Sequence, residues 1–181
     1  MESAHWGKFE AHSATVKSIQ ELIFLDKKRL KLLELVADLA LPDSWIGAGF
    51  VRNSVWDYLH DLPPTPLNDV DVIFFSPREA YDELKITESL ALQEPSINWE
   101  VKNQARMHVK HGDKPYHNCA EAMMHWPEKE TAVAVRLDKH GDIELCAPFG
   151  TGSLFRGEIT HNKARSADIF RQRLQQWTRQ K

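Results

Sequence analysis

A glycine-punctuated turn followed by an Asp-x-Asp strand constrains this chain more than any other feature. Both lie in the run from Trp45 to Phe75, WIGAGFVRNSVWDYLHDLPPTPLNDVDVIFF. The short apolar run Trp45-Ile46 breaks on Gly47 and Gly49, and a helix is expected from Phe50 to about Leu62. A proline-rich turn (Pro63, Pro64, Pro66) then leads into a second apolar run. Val70, Val72, Ile73 and Phe74 mark that run as a mostly buried strand, and Asp69 and Asp71 are set into its beginning. Side chains alternate across a strand, so the two carboxylates project from one face with Cα atoms about 6.7 Å apart. Side by side they repel, and one is driven to protonate unless a cation joins them.

Hard oxygen ligands in a small cluster suit Mg²⁺ or Mn²⁺, which take a few carboxylates together with phosphate oxygens and water. A third carboxylate completes a two-metal arrangement, whose ions sit about 3.5–4 Å apart. Glu100 is the best placed. In INWEVK (97–102), Ile97, Trp99 and Val101 alternate with Asn98, Glu100 and Lys102, the pattern of a half-buried strand. Asp57 and Asp61, on the preceding helix and at its end, are weaker candidates. A strand that ends in glycines before a helix lets backbone N–H groups approach a phosphate closely. Alone, Gly-Ala-Gly often serves geometry only, and an isolated Asp-x-Asp is commonly a strand end with an arginine partner. Glycine turn, paired aspartates and a later glutamate, in that order, point instead to a metal beside a phosphate chain.

The remainder reads as support for a mixed sheet. Ser13 or Thr15 is expected to cap a first helix carrying Val16, Ile19, Leu22 and Ile23. Asp26 is expected to cap a second, running to about Ala40 before Pro42, with Leu30, Leu33, Val36, Ala37 and Ala40 as its apolar stripe. Arg78 to about Leu92 reads as one helix or two short ones, and 103–118 as an irregular polar connection. Asn118 caps a short helix through Met124; TAVAVRL (131–137) and DIELCAP (142–148) form a hairpin turning at Gly141. A loop spans 148–152, and a terminal helix runs from Ala164 to Trp177 on Ile169, Leu174 and Trp177. The fold class is α+β, with about five strands in one mixed sheet flanked by helices. One domain is expected over 1–181, built of an N-terminal helical layer (1–42), a core (43–155) and a C-terminal helix (156–181).

A net charge of −3 supplies no general attraction to nucleic acid or membrane. No run approaches the roughly 20 apolar residues of a membrane span. Cys119 and Cys146 lack pairing or metal spacing, and with no secretory signal a cytoplasmic location is expected. His108, His111 and His117 invite a zinc hydrolase reading, but their spacing is poor for one helical face and no Cys or Glu completes it nearby. Residues 161–181 hold six basic side chains (Lys163, Arg165, Arg171, Arg173, Arg179, Lys181) against Asp168, read as the solvated face of a terminal helix rather than a nucleic-acid contact.

These motifs resemble the nucleotidyltransferase superfamily that includes DNA polymerase beta. Ala48-Gly49-Phe50-Val51-Arg52-Asn53 is similar to the Gly-Gly-x-Val-Arg-Asp of CCA-adding enzymes. The runs Gly47–Asp57, Pro66–Val72 and Trp99–His108, with ETAVAVRL and APFG later, look like a bacterial nucleotidyltransferase-like family. The resemblance spans about Trp45 to Phe155. It implies Asp69, Asp71 and Glu100 as catalytic metal ligands for Mg²⁺ or Mn²⁺. It further implies a nucleotide site at Gly47, Gly49, Arg52, Asn53 and Lys102. The implied activity moves an NMP from an NTP, taken as ATP, to a hydroxyl acceptor with release of pyrophosphate. The chain departs from the pattern at Ala48, where the first glycine stands, at Phe50, where a serine is common, and at Asn53, where CCA-adding enzymes have Asp. Ala48 and Phe50 motivate the alternative of a nucleotide-binding or regulatory module without turnover. Arg106 is given no role.

Overall fold

The computed structural model describes residues 18–78 and 80–179, with side chains as far as 175. Ser13, Thr15 and Val16, expected at the first helix, and the Trp177 side chain lie outside the described residues. A mixed five-stranded sheet has the spatial order β3-β2-β1-β4-β5. The central strand β1 (Trp45–Gly47) runs antiparallel to both β2 (Asp69–Phe74) and β4 (Ala134–Leu137). β2 runs parallel to β3 (Asn98–Asn103), a pairing that requires a crossover, and the helix α4 (Glu83–Gln93) supplies it. β5 (Ile143–Cys146) closes the far edge as a hairpin with β4. Gly141 turns that hairpin at φ 84°, and the Asp138 carboxylate accepts from His140 N and Asp142 N at 2.7 and 2.9 Å.

The sheet's two faces are covered unequally. One is packed throughout: Ile46, Val70, Val72, Trp99, Val101 and Val135 meet α1 (Ile19–Leu25), α2 (Lys27–Ala37), α3 (Gly49–Leu59) and α4 through Ile23, Leu33, Val51, Val55 and Leu90. Each such aliphatic side chain contributes roughly 1.5–3 kcal/mol by leaving water. The opposite face carries a smaller cluster of Trp45, Ile73, Cys119, Met123, Ala132 and Ala134. Asp69 and Asp71 are on this face, and beyond them Glu100 and Lys102 are exposed. The site is therefore the uncovered end of a half-covered sheet.

Local chemistry sets the ends of the helices. Ser18 caps α1, and Asp26 both closes α1 and caps α2, accepting from Lys28 N and Arg29 N at 3.0 Å each. α2 stops at Ala37 rather than Ala40, since Ala40 already has φ 48°. Its buried positions are Arg29, Leu32, Leu33 and Val36, while Ala37 and Ala40 are exposed. Arg29 draws the stripe round: Nε donates to Phe50 O at 2.9 Å, the guanidinium pairs with Asp26, and it lies over the Phe50 ring. α3 ends at Leu59, not Leu62. Asp61 takes φ 50° and Leu62 N reaches back to Asp57 O at 2.9 Å, the Schellman closure that usually uses glycine.

α4 begins at Glu83 instead of Arg78 because Asp82 is its cap, accepting from Leu84 N and Lys85 N. The stretch after β3 is less irregular than expected. A 3₁₀ turn (Gln104–Arg106) runs into α5 (Met107–His111), which ends on Gly112 at φ 70°. Asn118 caps α6 (Cys119–Met123) as expected. A short α7 (Gly152–Phe155) follows the 148–152 loop, and α8 spans Ala167–Arg179, starting after the expected Ala164. Ile169 is exposed, whereas Phe170 stacks on His161 with ring centroids 5.0 Å apart. No helix among the described residues is long and apolar enough to cross a membrane.

Candidate active site

Strand register assembles the acids. Asp71 pairs with Glu100 across the parallel β2–β3 ladder and with Gly47 across the antiparallel β1–β2 ladder. Lateral partners share a face and sit about 4.8 Å apart, so Asp71 lies between Glu100 and the glycine turn. Asp69 is opposite Asn98, whose Nδ2 donates to Oδ1 at 2.8 Å. Burial pushes the Asp71 carboxyl up to about 6, and Glu100 adds to that rise; Arg173 opposes it, Asp69 adds further, and Arg52 opposes. Among the described residues no three His, Cys, Asp or Glu side chains form a preassembled metal cage. By chemistry alone, Asp69, Asp71 and Glu100 are donors of the kind a hard divalent cation takes. They are all oxygen, on one sheet face, and the central one is made harder to ionise by burial and two neighbouring acids.

The phosphate turn departs from expectation in one respect. Neither Gly47 nor Gly49 takes a positive φ; the residue between them does, Ala48 at φ 57° and ψ −126°. That backbone region is close to glycine-only, which is the physical sense of a glycine at this place in the resembled motif. Gly47 is needed for packing, since a Cβ there would lie 3.2 Å from Cη2 of Trp126. At Gly49 a Cβ would meet Asn53 Nδ2 at 3.4 Å and Arg52 Nη2 at 3.6 Å, an ordinary contact. Ala48 gives the first turn of α3 no side-chain acceptor, and the leading N–H groups of a helix have no partners within it. Phe50 is turned into the core, away from this turn.

Arg52 leaves the first turn of α3 towards the same place. Its Nη1 donates to Thr131 Oγ1 at 3.1 Å, and Nε and Nη2 donate to Asn53 Oδ1 at 3.1 and 3.0 Å. Asn53 thus holds the guanidinium, and Trp56 stacks beneath it at 5.1 Å. Burial lowers the Arg52 pKa to about 10, with Glu128 and Asp71 raising it and Arg173 lowering it. Lys102 is exposed on the face of Glu100. Asp57 is not with the acids: its oxygens accept from Thr65 N and Thr65 Oγ1 at 2.7 Å each, pinning the proline-rich loop. Asp61 is an exposed turn residue.

Three participants had no distinct signal in the sequence. Glu128 is fully buried and accepts from Arg173 Nε at 2.6 Å, while Thr131 holds Arg52. Arg173 belongs to the basic run read as solvated, and Arg165 of that run also turns inward, donating to both Asp113 oxygens at 2.6 and 3.1 Å. Only docking of the C-terminal segment shows which cations face the protein. His108, His111 and His117 have separate surroundings. His117 pairs with Glu121 at 2.7 Å, His108 Nδ1 contacts Ala105 O at 2.8 Å, and His111 is exposed. Burial drives the Cys119 thiol upward, which removes it as a nucleophile.

A mixed sheet with an acidic-x-acidic strand, a third acid on the parallel neighbour and a turn into α3 defines the nucleotidyltransferase class of fold. The chain belongs to a nucleotidyltransferase family whose model matches residues 34–180. It is similar to a structure described as revealing a CCA-adding enzyme head domain, at 33% identity and a TM-score of 0.76, over 88% of this chain and 90% of that one. A CCA-adding enzyme solved with CTP shares the fold at 14% identity and a TM-score of 0.52, with 79% of this chain covering 36% of that enzyme. No curated protein matches the chain.

Proposed function

We propose that the chain acts as one catalytic unit that moves an NMP from an NTP, with ATP the first to test, to a hydroxyl acceptor. The acceptor oxygen bonds to the α-phosphorus as the bond to the bridging oxygen breaks, and pyrophosphate leaves. The observation that carries this reading is the alignment of Glu100, Asp71 and Gly47 on one line across three adjacent strands. Asp69, Asp71 and Glu100 would hold Mg²⁺ or Mn²⁺, which when bound supplies neutralisation of the triphosphate and a lowered pKa for the acceptor hydroxyl. The first turn of α3 presents N–H groups to phosphate oxygens, and Arg52 sets a fixed positive charge beside them. Asn53 and Thr131 keep that charge from wandering. Lys102 stands on the open side of Glu100, where it meets solvent-borne phosphate or acceptor.

Nucleotide substrates also fit the CTP complex of the structural neighbour. Two unpaired cysteines, one of them buried, suit a reducing cytoplasm. Pyrophosphate release from each NTP with Mg²⁺, over a panel of hydroxyl acceptors, tests the reading. Release that depends on Asp71 supports it, and equal release from Asp71→Asn rejects it. A binding module without turnover is favoured by one feature, the displacement of Phe50 into the core where a serine hydroxyl is expected. It predicts Mg²⁺-dependent NTP binding with no pyrophosphate from any acceptor.

A further inference from the structure

The two rungs of the β2–β3 ladder that carry the acids differ in kind. At one, Asp71 faces Glu100, a carboxylate opposite a carboxylate. At the other, on the same face, Asp69 is opposite the amide of Asn98, whose Nδ2 donates to Asp69 Oδ1 at 2.8 Å. Of the three acids, Asp69 alone has a side-chain hydrogen bond among the described residues, and only one of its oxygens is used.

Asn98 is exposed, so this bond does not serve to satisfy a buried polar group. Its backbone is nonetheless anchored. Asn98 N donates to Asn68 O at 2.8 Å, and its neighbours Ile97 and Trp99 are both buried in the core. Trp99 is tied further, with Nε1 donating to Glu94 O at 3.3 Å. The amide thus stands on a fixed stretch of strand, and only its two side-chain torsions remain to be set.

An exposed amide–carboxylate bond adds little to stability, because water offers both groups similar bonds. What it adds is direction. An amide N–H holds a carboxylate without neutralising it, which a lysine or arginine at the same place would do. No three acids form a preassembled cage among the described residues, so a cation has to gather its ligands as it binds. A ligand already oriented lowers the cost of gathering the others.

Resting on the reading of Asp69, Asp71 and Glu100 as metal ligands, we propose that Asn98 is a positioning residue for Asp69. It occupies Oδ1 and leaves Oδ2 to take a divalent cation, so Asp69 is a one-oxygen ligand set in place before the ion arrives.

Titration with Mn²⁺, the free ion counted by its paramagnetic resonance signal, reads this without nucleotide or turnover. Asn98→Leu keeps the approximate shape and removes the N–H₂ group. Its Mn²⁺ affinity is expected to fall about tenfold or more, the scale of losing a hydrogen bond to a metal ligand. Asn98→Gln returns an amide on a longer stem and should recover part of that loss. Melting temperatures without metal should change little in either variant, since the position is exposed. An Asn98→Leu protein that binds Mn²⁺ as tightly as the wild type, while Asp71→Asn binds it weakly, overturns the proposal and leaves the ligand assignment standing. A metal-free melting temperature lowered in step with the Mn²⁺ affinity assigns Asn98 to the fold instead and equally overturns it. A wild type that binds no Mn²⁺, with or without ATP, overturns both the proposal and the reading beneath it.

Discussion

The amide of Ala48 donates to the carbonyl of Val133 at 3.0 Å, fastening the glycine turn to the segment that leads into β4. This bond holds Ala48 at φ 57° and ψ −126°, a conformation that costs a residue with a Cβ of order 1–3 kcal/mol. Ala48→Gly is therefore expected to stabilise the protein by about 1 kcal/mol, after the extra chain entropy of glycine is subtracted. Urea or thermal unfolding reads this directly, and a destabilised Ala48→Gly would refute the strain.

The two flanking glycines are expected to separate stability from binding. Gly47→Ala drives a methyl to 3.2 Å from the Trp126 ring and close to Ala134 and Val133, an overpacking that costs about 1–3 kcal/mol. Gly49→Ala makes ordinary contacts in the first turn of a helix and should be neutral or stabilising by up to about 1 kcal/mol. Its methyl nonetheless stands where phosphate is proposed to approach, so its NTP affinity should fall. Paired melting curves and titrations check both halves; the reverse pattern contradicts the assignment of the two roles.

Asp71→Asn removes the central acid of the row formed with Glu100. Turnover is expected to drop by at least about 10²-fold, the scale of losing one electrostatic contributor to a phosphoryl-transfer transition state. Mg²⁺ should raise the melting temperature of the wild type and have little effect on the variant, because the unfolded chain offers no matching site. Differential scanning fluorimetry with and without Mg²⁺ measures this; equal Mg²⁺ shifts in both proteins count against Asp71 as a ligand.

Acid stability is expected to hinge on Asp113. Arg165 donates to it, and with help from Tyr116 this holds the Asp113 carboxyl down at about 2. A free aspartate titrates near 3.9, about two units higher. The folded form thus binds its proton later, so the stabilisation is complete above about pH 5 and is lost as pH falls from there towards 2. Asp113→Asn should flatten that part of the stability–pH curve and cost about 2 kcal/mol at neutral pH, the scale of a charge-assisted hydrogen bond. Urea unfolding between pH 6 and 2 follows the difference; identical slopes for both proteins exclude the pair as the cause.

Features that rest on alternation or on a polar cap were legible in the residues. The shared face of Asp69 and Asp71 follows from spacing alone, whereas it is the β2–β3 register that sets Glu100 beside Asp71. Asp26, Asn118 and Gly141 were equally visible, since each does its work within a few residues of itself. Helix ends closed by unusual residues were not. Ala40 and Asp61 take positive φ without being glycine, so α2 and α3 stop earlier than composition implies. The inward turn of Arg173 was hidden for a different reason. A guanidinium in a basic run looks solvent-bound until the docking of α8 brings it to Glu128, 45 residues away. Arg29 misled in the same sense, a charged side chain occupying a core position because its neighbours supply both a carbonyl and a carboxylate.

The middle position of β1 has a kinetic corollary. One of its edges is met by β2, which follows soon after in the chain, but the other waits for β4, much later in the sequence. Closing the longer loop costs more entropy, so we expect the acid-bearing half to condense first and the β4–β5 hairpin to dock onto it afterwards. Pulse-labelled amide exchange during refolding should then protect Val72 before Val135; simultaneous protection would show the two halves nucleating as one. In that sequence of events the acids and Arg52 already stand together before Thr131, next to β4, arrives to fasten the guanidinium.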